Sequence, residues 1–282
     1  MRHNGPMLKV LLGRMVRGQV AIPDALWEST LASVPFFARL TAEERVRLRE
    51  FAEHFLAEKQ MSGAAGLELT AAMQVHIAAQ ACLPILNLDL AWYHGWNSIV
   101  VYPNEFLVPR SVTDDAGVVH EYTEPISGEA WDGGPLLLSW EDAQRSSTDD
   151  GTAYSVVIHE FTHKLDLLNG DADGVPPFSP SLHSGLKVAA WRDTLSDAHE
   201  AFIAEIELVE SELPPTIDPD SSEADRYYAH LPLDAYAAQD AGEFFAVSSE
   251  AFFVKPARLQ AAFPAWYALL AKFFRQDPLA RP

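Results

Sequence analysis

The chain has 282 residues, 48% hydrophobic and 11% aromatic, and its seven Trp and fifteen Phe supply the packing material that disordered chains lack. A formal net charge of −20 repels phosphate backbones and no basic patch offsets it, so no direct nucleic-acid binding is expected. The one cysteine, Cys82, cannot form an internal disulfide, and no apolar run reaches the eighteen residues of a membrane span; a soluble cytoplasmic protein is expected.

Residues 1–21 read as a lead-in segment, and their apolar stretch stops at Arg14, too short for a secretory core. Residues 22–282 read as a single domain of two lobes. Thr41-Ala-Glu-Glu44 is a capping-box signal that opens a helix to about Glu58, with Val46, Leu48, Phe51 and Phe55 as apolar positions. Leu69 to Leu83 reads as a second helix stopped by Pro84, with Cys82 a small core residue. Ile99-Val-Val-Tyr102, stopped by Pro103, is a strand candidate, and Leu136 to Trp140 is another. A charged, Gly-containing stretch between them predicts turns or a hairpin.

Asp149-Asp-Gly-Thr152 precedes a helical segment from Ala153 to about Leu168, and Asn169-Gly170-Asp171 is a stop signal. Thr194 to Leu213 is a long amphipathic helix ended by Pro214-Pro215. Residues 214–233, rich in Pro, Asp, Ser and Glu, read as a loop insertion. Asp240 to about Phe253 is an apolar helix, followed by a helical tail. The expected class is α+β, mostly helical, with a small mixed sheet in a lobe of about 22–150 and a helical lobe of about 151–282. The cleft between them is the expected binding site.

His159-Glu160-Phe161-Thr162-His163 carries the chemistry. Residues four apart on a helix share a face, so the two imidazoles project together and can hold one Zn²⁺. Glu160, one residue round the helix, is placed to take a proton from metal-activated water as general base and pass it to a leaving amine. A helix that carries only solvated His and Glu would have polar flanks. Here the flanks are Val156-Val157-Ile158, Phe161, Leu165, Leu167 and Leu168, so the polar groups sit on a buried helix and need partners. His199-Glu200 starts the same way but lacks a second His, and reads as surface.

Two histidines leave the metal short of a third protein ligand. Where a third histidine follows six residues on, after an intervening glycine, this chain has Asn169 at the histidine position and Asp166 at the glycine position, which moves the search to a later Glu. Glu200, Glu205, Glu207, Glu210 and Glu212 share the solvated face of one helix, and Glu223 lies in the loop. Glu243 and Glu250, seven apart in an apolar helix, are the remaining candidates. Glu243 also fits a capping box with Asp240, so both stay open on these grounds, with the other one free to orient a ligand histidine. Asp166 either orients a ligand or caps a neighbouring helix. Tyr236, seven residues before Glu243, reads as a packed side chain or as a phenol near an oxyanion. The strand Leu136 to Trp140 is either an ordinary core strand or an edge that pairs with substrate backbone.

The chain resembles the Mlc titration factor A family of peptidases. The resemblance rests on His159-Glu-Phe-Thr-His163-Lys-Leu-Asp166 with Asn169-Gly170-Asp171, on Asp234-Ala-Tyr236-Ala-Ala, and on Glu243-Phe-Phe-Ala-Val-Ser-Ser-Glu250-Ala-Phe-Phe253. It extends through Ile99-Val-Val-Tyr-Pro103, Gly134-Pro-Leu-Leu-Leu-Ser-Trp140 and Phe273-Phe-Arg-Gln-Asp-Pro278 and covers about residues 22–280. That family is similar in its core to the anthrax lethal factor peptidase domain, a gluzincin. The resemblance therefore implies a zincin-like metallopeptidase fold with its active-site helix at the lobe interface. It also implies one zinc on His159, His163 and Glu243, Glu160 as general base and Tyr236 as a catalytic residue. It implies aminopeptidase activity on short peptides, and, as the alternative role, binding and sequestering of a transcriptional repressor of sugar uptake. The Pro- and acid-rich residues 214–233 depart from the enteric pattern.

Overall fold

The computed structural model describes residues 20–113, 119–131, 133–145, 153–219 and 221–281. The Asp149–Thr152 start signal and nearly all of the 1–21 lead-in lie outside the described residues.

The N-terminal half begins with helix α1 (Asp24–Ser33), a 3-10 turn (Pro35–Arg39) and helix α2 (Ala42–Glu58). The Thr41 capping box is present: the Glu44 N–H donates to Thr41 Oγ1 at 3.2 Å, and the Thr41 N–H donates to Glu44 Oε2 at 2.9 Å. Strand β1 (Gln60–Gly63), helix α3 (Ala71–Cys82) and strand β2 (Ser98–Tyr102) follow, with β1 and β2 parallel in the register Met61↔Ile99. β1 had no sequence signal because it is short and mostly exposed, so it lacks the apolar alternation of a buried strand.

The stretch between the two expected strands forms an antiparallel hairpin of β3 (Phe106–Thr113) and β4 (Val119–Ile126). A three-residue strand β5 (Gly128–Ala130) comes next and pairs antiparallel with β6 (Leu136–Ser139). The main sheet has the order β1-β2-β6-β5. β6 is therefore interior, flanked by β2 and β5, and the edge is β5, which corrects the reading of Leu136 to Trp140 as a possible substrate edge. Trp140 also leaves the strand: Ser139 caps a short helix α4 (Trp140–Gln144), accepting from the Asp142 N–H at 3.3 Å.

Helix α5 (Val156–Asp166) starts three residues later than the sequence suggests. Ser155 is its cap, taking the Ile158 N–H at 3.2 Å, and a hydroxyl at that position ends the extended approach. The last turn tightens to 3-10 geometry over Leu167–Asn169, and Gly170 at φ +105° terminates it. Helix α6 (Val188–Glu212) begins six residues earlier than expected, because buried Trp191 anchors a first turn that has little apolar periodicity of its own. Residues 214–233 are largely irregular, with one helical turn α7 (Asp225–Tyr228). A 3-10 turn (Ala235–Ala238) leads into α8 (Ala241–Val254), and the tail is α9 (Pro256–Ala262) and α10 (Pro264–Phe274), each with Pro in its first turn.

One continuous buried apolar cluster runs from Ile22 to Phe274 and includes Cys82. Trp191, Trp266, Phe245 and Phe273 join α6, α8 and α10 within it, the two indoles 4.6 Å apart. Phe161 anchors α5 against Phe55, Tyr93 and Trp96, with centroids 5.1–5.7 Å away. The mostly helical α+β class is as expected. Among the described residues, no helix is long and apolar enough to cross a membrane.

Candidate metal centre

Within α5 every residue is buried except His159 and His163, which are half-buried and face a cavity of about 500 Å³. The hydrophobic face of the helix thus fixes its rotation, and the rotation aims both imidazoles at the same space. α8 lies alongside and brings Glu243 to them. His159 Nε2 stands 3.0 Å and His163 Nε2 3.3 Å from Glu243 Oε2, and the two Nε2 atoms are 3.1 Å apart.

The capping box expected at Asp240 forms only in its first half. Asp240 Oδ1 accepts the Glu243 N–H at 2.9 Å, while the Glu243 carboxylate turns away to the histidines. A single residue therefore serves the helix start with its backbone and the histidines with its side chain. Glu250, one face-repeat further on, does not reach the same point. Its Oε1 accepts from His159 Nδ1 at 2.9 Å and its Oε2 from the Ser155 N–H at 2.5 Å. With one proton held on Nδ1 by Glu250, His159 is left Nε2 as the nitrogen that can bind a metal in the cavity. Behind it, Ser155 Oγ donates to Gln80 Oε1 at 2.8 Å, and Gln80 Nε2 donates to the Ala143 carbonyl at 3.1 Å.

The triangle of Nε2, Nε2 and Oε2 fits a metal ion. Ligands about 2.0–2.1 Å from one tetrahedral zinc stand about 3.3 Å from each other, close to the spacings here, and two imidazoles with one carboxylate are a zinc donor set that leaves a fourth position open. Among the described residues, this is the one group of three or more His, Cys, Asp or Glu side chains spaced to hold a metal.

Glu160 lies beside this triangle. It is 4% exposed, and its Oε2 has no hydrogen-bond partner among the described residues. Burial pushes the Glu160 carboxyl up to about 7, against the pull of His159 and His163. For Glu243, burial opposes the charge, but hydrogen bonds from His159 and His163 hold the carboxyl below the usual carboxylate range. For His159, burial opposes protonation and the carboxylates of Glu243 and Glu250 override it, leaving the ring well above its ordinary value. A cation in the triangle would replace that proton.

The floor of the cavity contains a residue that sequence reasoning missed. A Cβ on Gly128 of edge strand β5 would sit 2.4 Å from Glu160 Oε1. Glycine there lets the carboxylate lie directly against the strand, and a lone Gly in Ser127-Gly128-Glu129 carries no sequence signal for that approach.

Tyr236 lines the same cavity, 47% exposed, with its ring 6.1 Å from the His159 ring. Asp234 places it by accepting the Tyr236 N–H at 3.0 Å. Asp166 is not part of the triangle. It is fully buried, accepts the Gly174 N–H at 2.7 Å, and is pushed up to about 7 by burial against that bond. Glu200, Glu205, Glu207, Glu210, Glu212 and Glu223 are exposed. His199, read as surface, is half-buried instead, its ring 5.3 Å from Phe244 and its Nε2 3.3 Å from the Ala238 carbonyl.

The family described as glucose-regulated metallo-peptidase M90 matches residues 12–275. Among its relatives, the chain is 38% identical to Mlc titration factor A of Salmonella arizonae over 258 residues, 92% of this chain and 93% of that protein. It is 39% identical to Mlc titration factor A of Klebsiella pneumoniae subsp. pneumoniae over 256 residues, 90% of this chain and 87% of that protein. The match runs across β5, α5 and α8 alike, so the chain belongs to the glucose-regulated metallo-peptidase family, together with the Mlc titration factor A proteins.

Proposed function

We propose that this chain is a zinc-dependent peptidase acting on short peptides with a free N-terminus. The observation that carries the reading is the triangle His159, His163 and Glu243, with edges of 3.0–3.3 Å, beside a buried carboxylate oxygen on Glu160 that has no partner among the described residues. One zinc in the triangle supplies a Lewis acid that polarises a peptide carbonyl and acidifies water. Glu160 Oε2 accepts the proton of the attacking water and returns it to the departing amine. The Tyr236 hydroxyl donates to the oxygen that gains charge. The edge strand Gly128–Ala130 offers backbone groups to an extended substrate and lays it across Glu160. A zincin-like domain of two lobes, 22–150 and 151–282, is part of this proposal. Its support is that β5 comes from one half and α5 and α8 from the other, and all three line one cavity.

The test is hydrolysis of a peptide library with and without a zinc chelator, each peptide offered with a free and an acetylated N-terminus. Chelator-sensitive release of N-terminal residues from the free set alone is expected. Equal cleavage of both sets would make the protein an endopeptidase, and no cleavage of either would sink the peptidase reading.

The relatives' name, Mlc titration factor A, favours a second role, binding of an Mlc-like protein, which the sequence resemblance implies to be a repressor of sugar uptake. A pull-down with the host's own repressor of that class, repeated with His159→Ala, separates the two. Binding that survives the substitution in a protein without peptidase activity would support sequestration as the main role.

A further inference from the structure

The metal triangle is drawn from two helices, with 79 residues between His163 and Glu243, so something must fix α8 against α5. The intervening chain folds back at once. Asp166, in the last turn of α5, is fully buried, and its Oδ2 accepts the Gly174 N–H at 2.7 Å. The Gly174 carbonyl accepts from Trp191 Nε1 of α6 at 2.7 Å, and Asn169 Nδ2 donates to the Val175 carbonyl at 3.0 Å. The loop 170–175 is thereby pinned at its far end, at Gly174 and Val175, by the side chains of buried Asp166 and Trp191 and of exposed Asn169.

This loop meets the first turn of α8 backbone to backbone. A Cβ on Gly242 would sit 2.4 Å from the Ala172 carbonyl oxygen. A Cβ on Gly174, which has φ +77°, would sit 2.5 Å from the Ala241 carbonyl oxygen and 2.8 Å from Leu195 Cδ2. The two glycines face each other's segments, and Glu243 is the next residue after Gly242. Backbone carbonyls cannot rotate aside as the tip of a side chain can, so this contact sets how far Glu243 reaches.

We infer that Asp166, Gly174 and Gly242 are positioning residues for the metal: the Asp166-pinned loop presses on the start of α8 and holds Glu243 at its distance from His159 and His163. This rests on the metal reading given above. None of the three is a ligand: Gly174 and Gly242 act on affinity for the ion through Glu243, and Asp166 acts through the loop it pins, besides its charge near His163.

The experiment measures zinc affinity by chelator competition, and the visible spectrum of the Co²⁺-loaded protein, for the full chain and its variants. Gly242→Ala and Asp166→Ala are each expected to weaken zinc binding roughly 10–100-fold, the range for losing a group that orients a ligand, and to alter the Co²⁺ spectrum. Asp166→Asn keeps an acceptor for the Gly174 N–H and recovers most of the affinity. Gly185→Ala, where a Cβ meets nothing within 4 Å, stays at wild type. Wild-type affinity and spectrum in a folded Gly242→Ala or Asp166→Ala protein would overturn the inference. If neither folds, hydrogen exchange on the wild type decides: zinc should slow the amides of 172–175 together with those of 241–244, and unchanged exchange at 172–175 would overturn it. Zinc retained by His159→Ala would remove the metal reading itself, whereas zinc lost there and kept in Gly242→Ala removes only the positioning role.

Discussion

His159 has a carboxylate on each ring nitrogen, and the two carboxylates do different work. Glu243 shares the Nε2 side with His163, while Glu250 holds the Nδ1 proton and at the same time takes the first free N–H of the helix that carries the histidine. Substituting Glu250→Gln removes the charge and one acceptor but leaves the triangle intact. Zinc affinity is expected to fall roughly 10–100-fold, measured by chelator competition. Gly128→Ala acts on the base instead. Its Cβ would meet Glu160 Oε1 at 2.4 Å, so the carboxylate must move, and kcat is expected to fall roughly 10²-fold with zinc content unchanged. Full activity in that variant would show that Glu160 does not need to lie against β5. The candidate metal pair and base are legible in the sequence because helical period puts residues 159 and 163 on one face, with Glu160 beside them. The proposed third ligand is not, since Glu243 and Glu250 share a face. The choice depends on where α5 lies along α8, which is a tertiary fact. Gly128 was invisible for the same reason.

At the scale of elements, most boundaries followed from local chemistry, and the departures have local causes. Thr41, Asp240 and Pro84 mark helix ends in the sequence and in the structure. Ser155 carries no clear start signal because Ala153 and Tyr154 continue the apolar pattern of α5, although they lie outside the helix. β5 is three residues long and was hidden in a charged stretch, yet it forms the sheet edge beside the site. His183, packed between Trp92 of the N-terminal half and Phe273 of α10, has a pH consequence. His183 Nδ1 accepts the Ser179 N–H at 3.0 Å, which places its proton on Nε2, donated to the Phe273 carbonyl at 2.9 Å. Burial, the largest cause, and the positive Arg275 favour the neutral ring against the Phe273 bond, which favours the charged one, and the pKa is lowered from its ordinary value. A depressed folded value means that the stabilisation is present in full above the unfolded pKa and is lost as pH falls through the folded one. His183→Gln keeps a donor for Phe273 without titrating. The wild type's advantage in urea midpoint over this variant is expected to be larger at pH 7.5 than at pH 5. An advantage independent of pH would show that the ring does not titrate differently on unfolding.

The molecule as a whole is organised around α5. Its apolar faces pack on Phe55, Tyr93 and Trp96 from the N-terminal half, and α8 packs on it from the C-terminal half. The two polar positions left over face the cavity. The aromatic richness of the sequence foretold a large core, but not that this core would hold one helix from both sides and so set the direction of its histidines. The formal net charge of −20 is compatible with a substrate that carries a free ammonium group. The central claim is that His159, His163 and Glu243 hold one zinc and that Glu160 does the proton transfer beside it. The most direct measurement is zinc content and peptide hydrolysis on the wild type and Glu160→Gln in parallel. The account predicts about one zinc per chain in both proteins, with hydrolysis in the variant reduced roughly 10²–10⁴-fold. A variant with the same zinc and the same rate would contradict it.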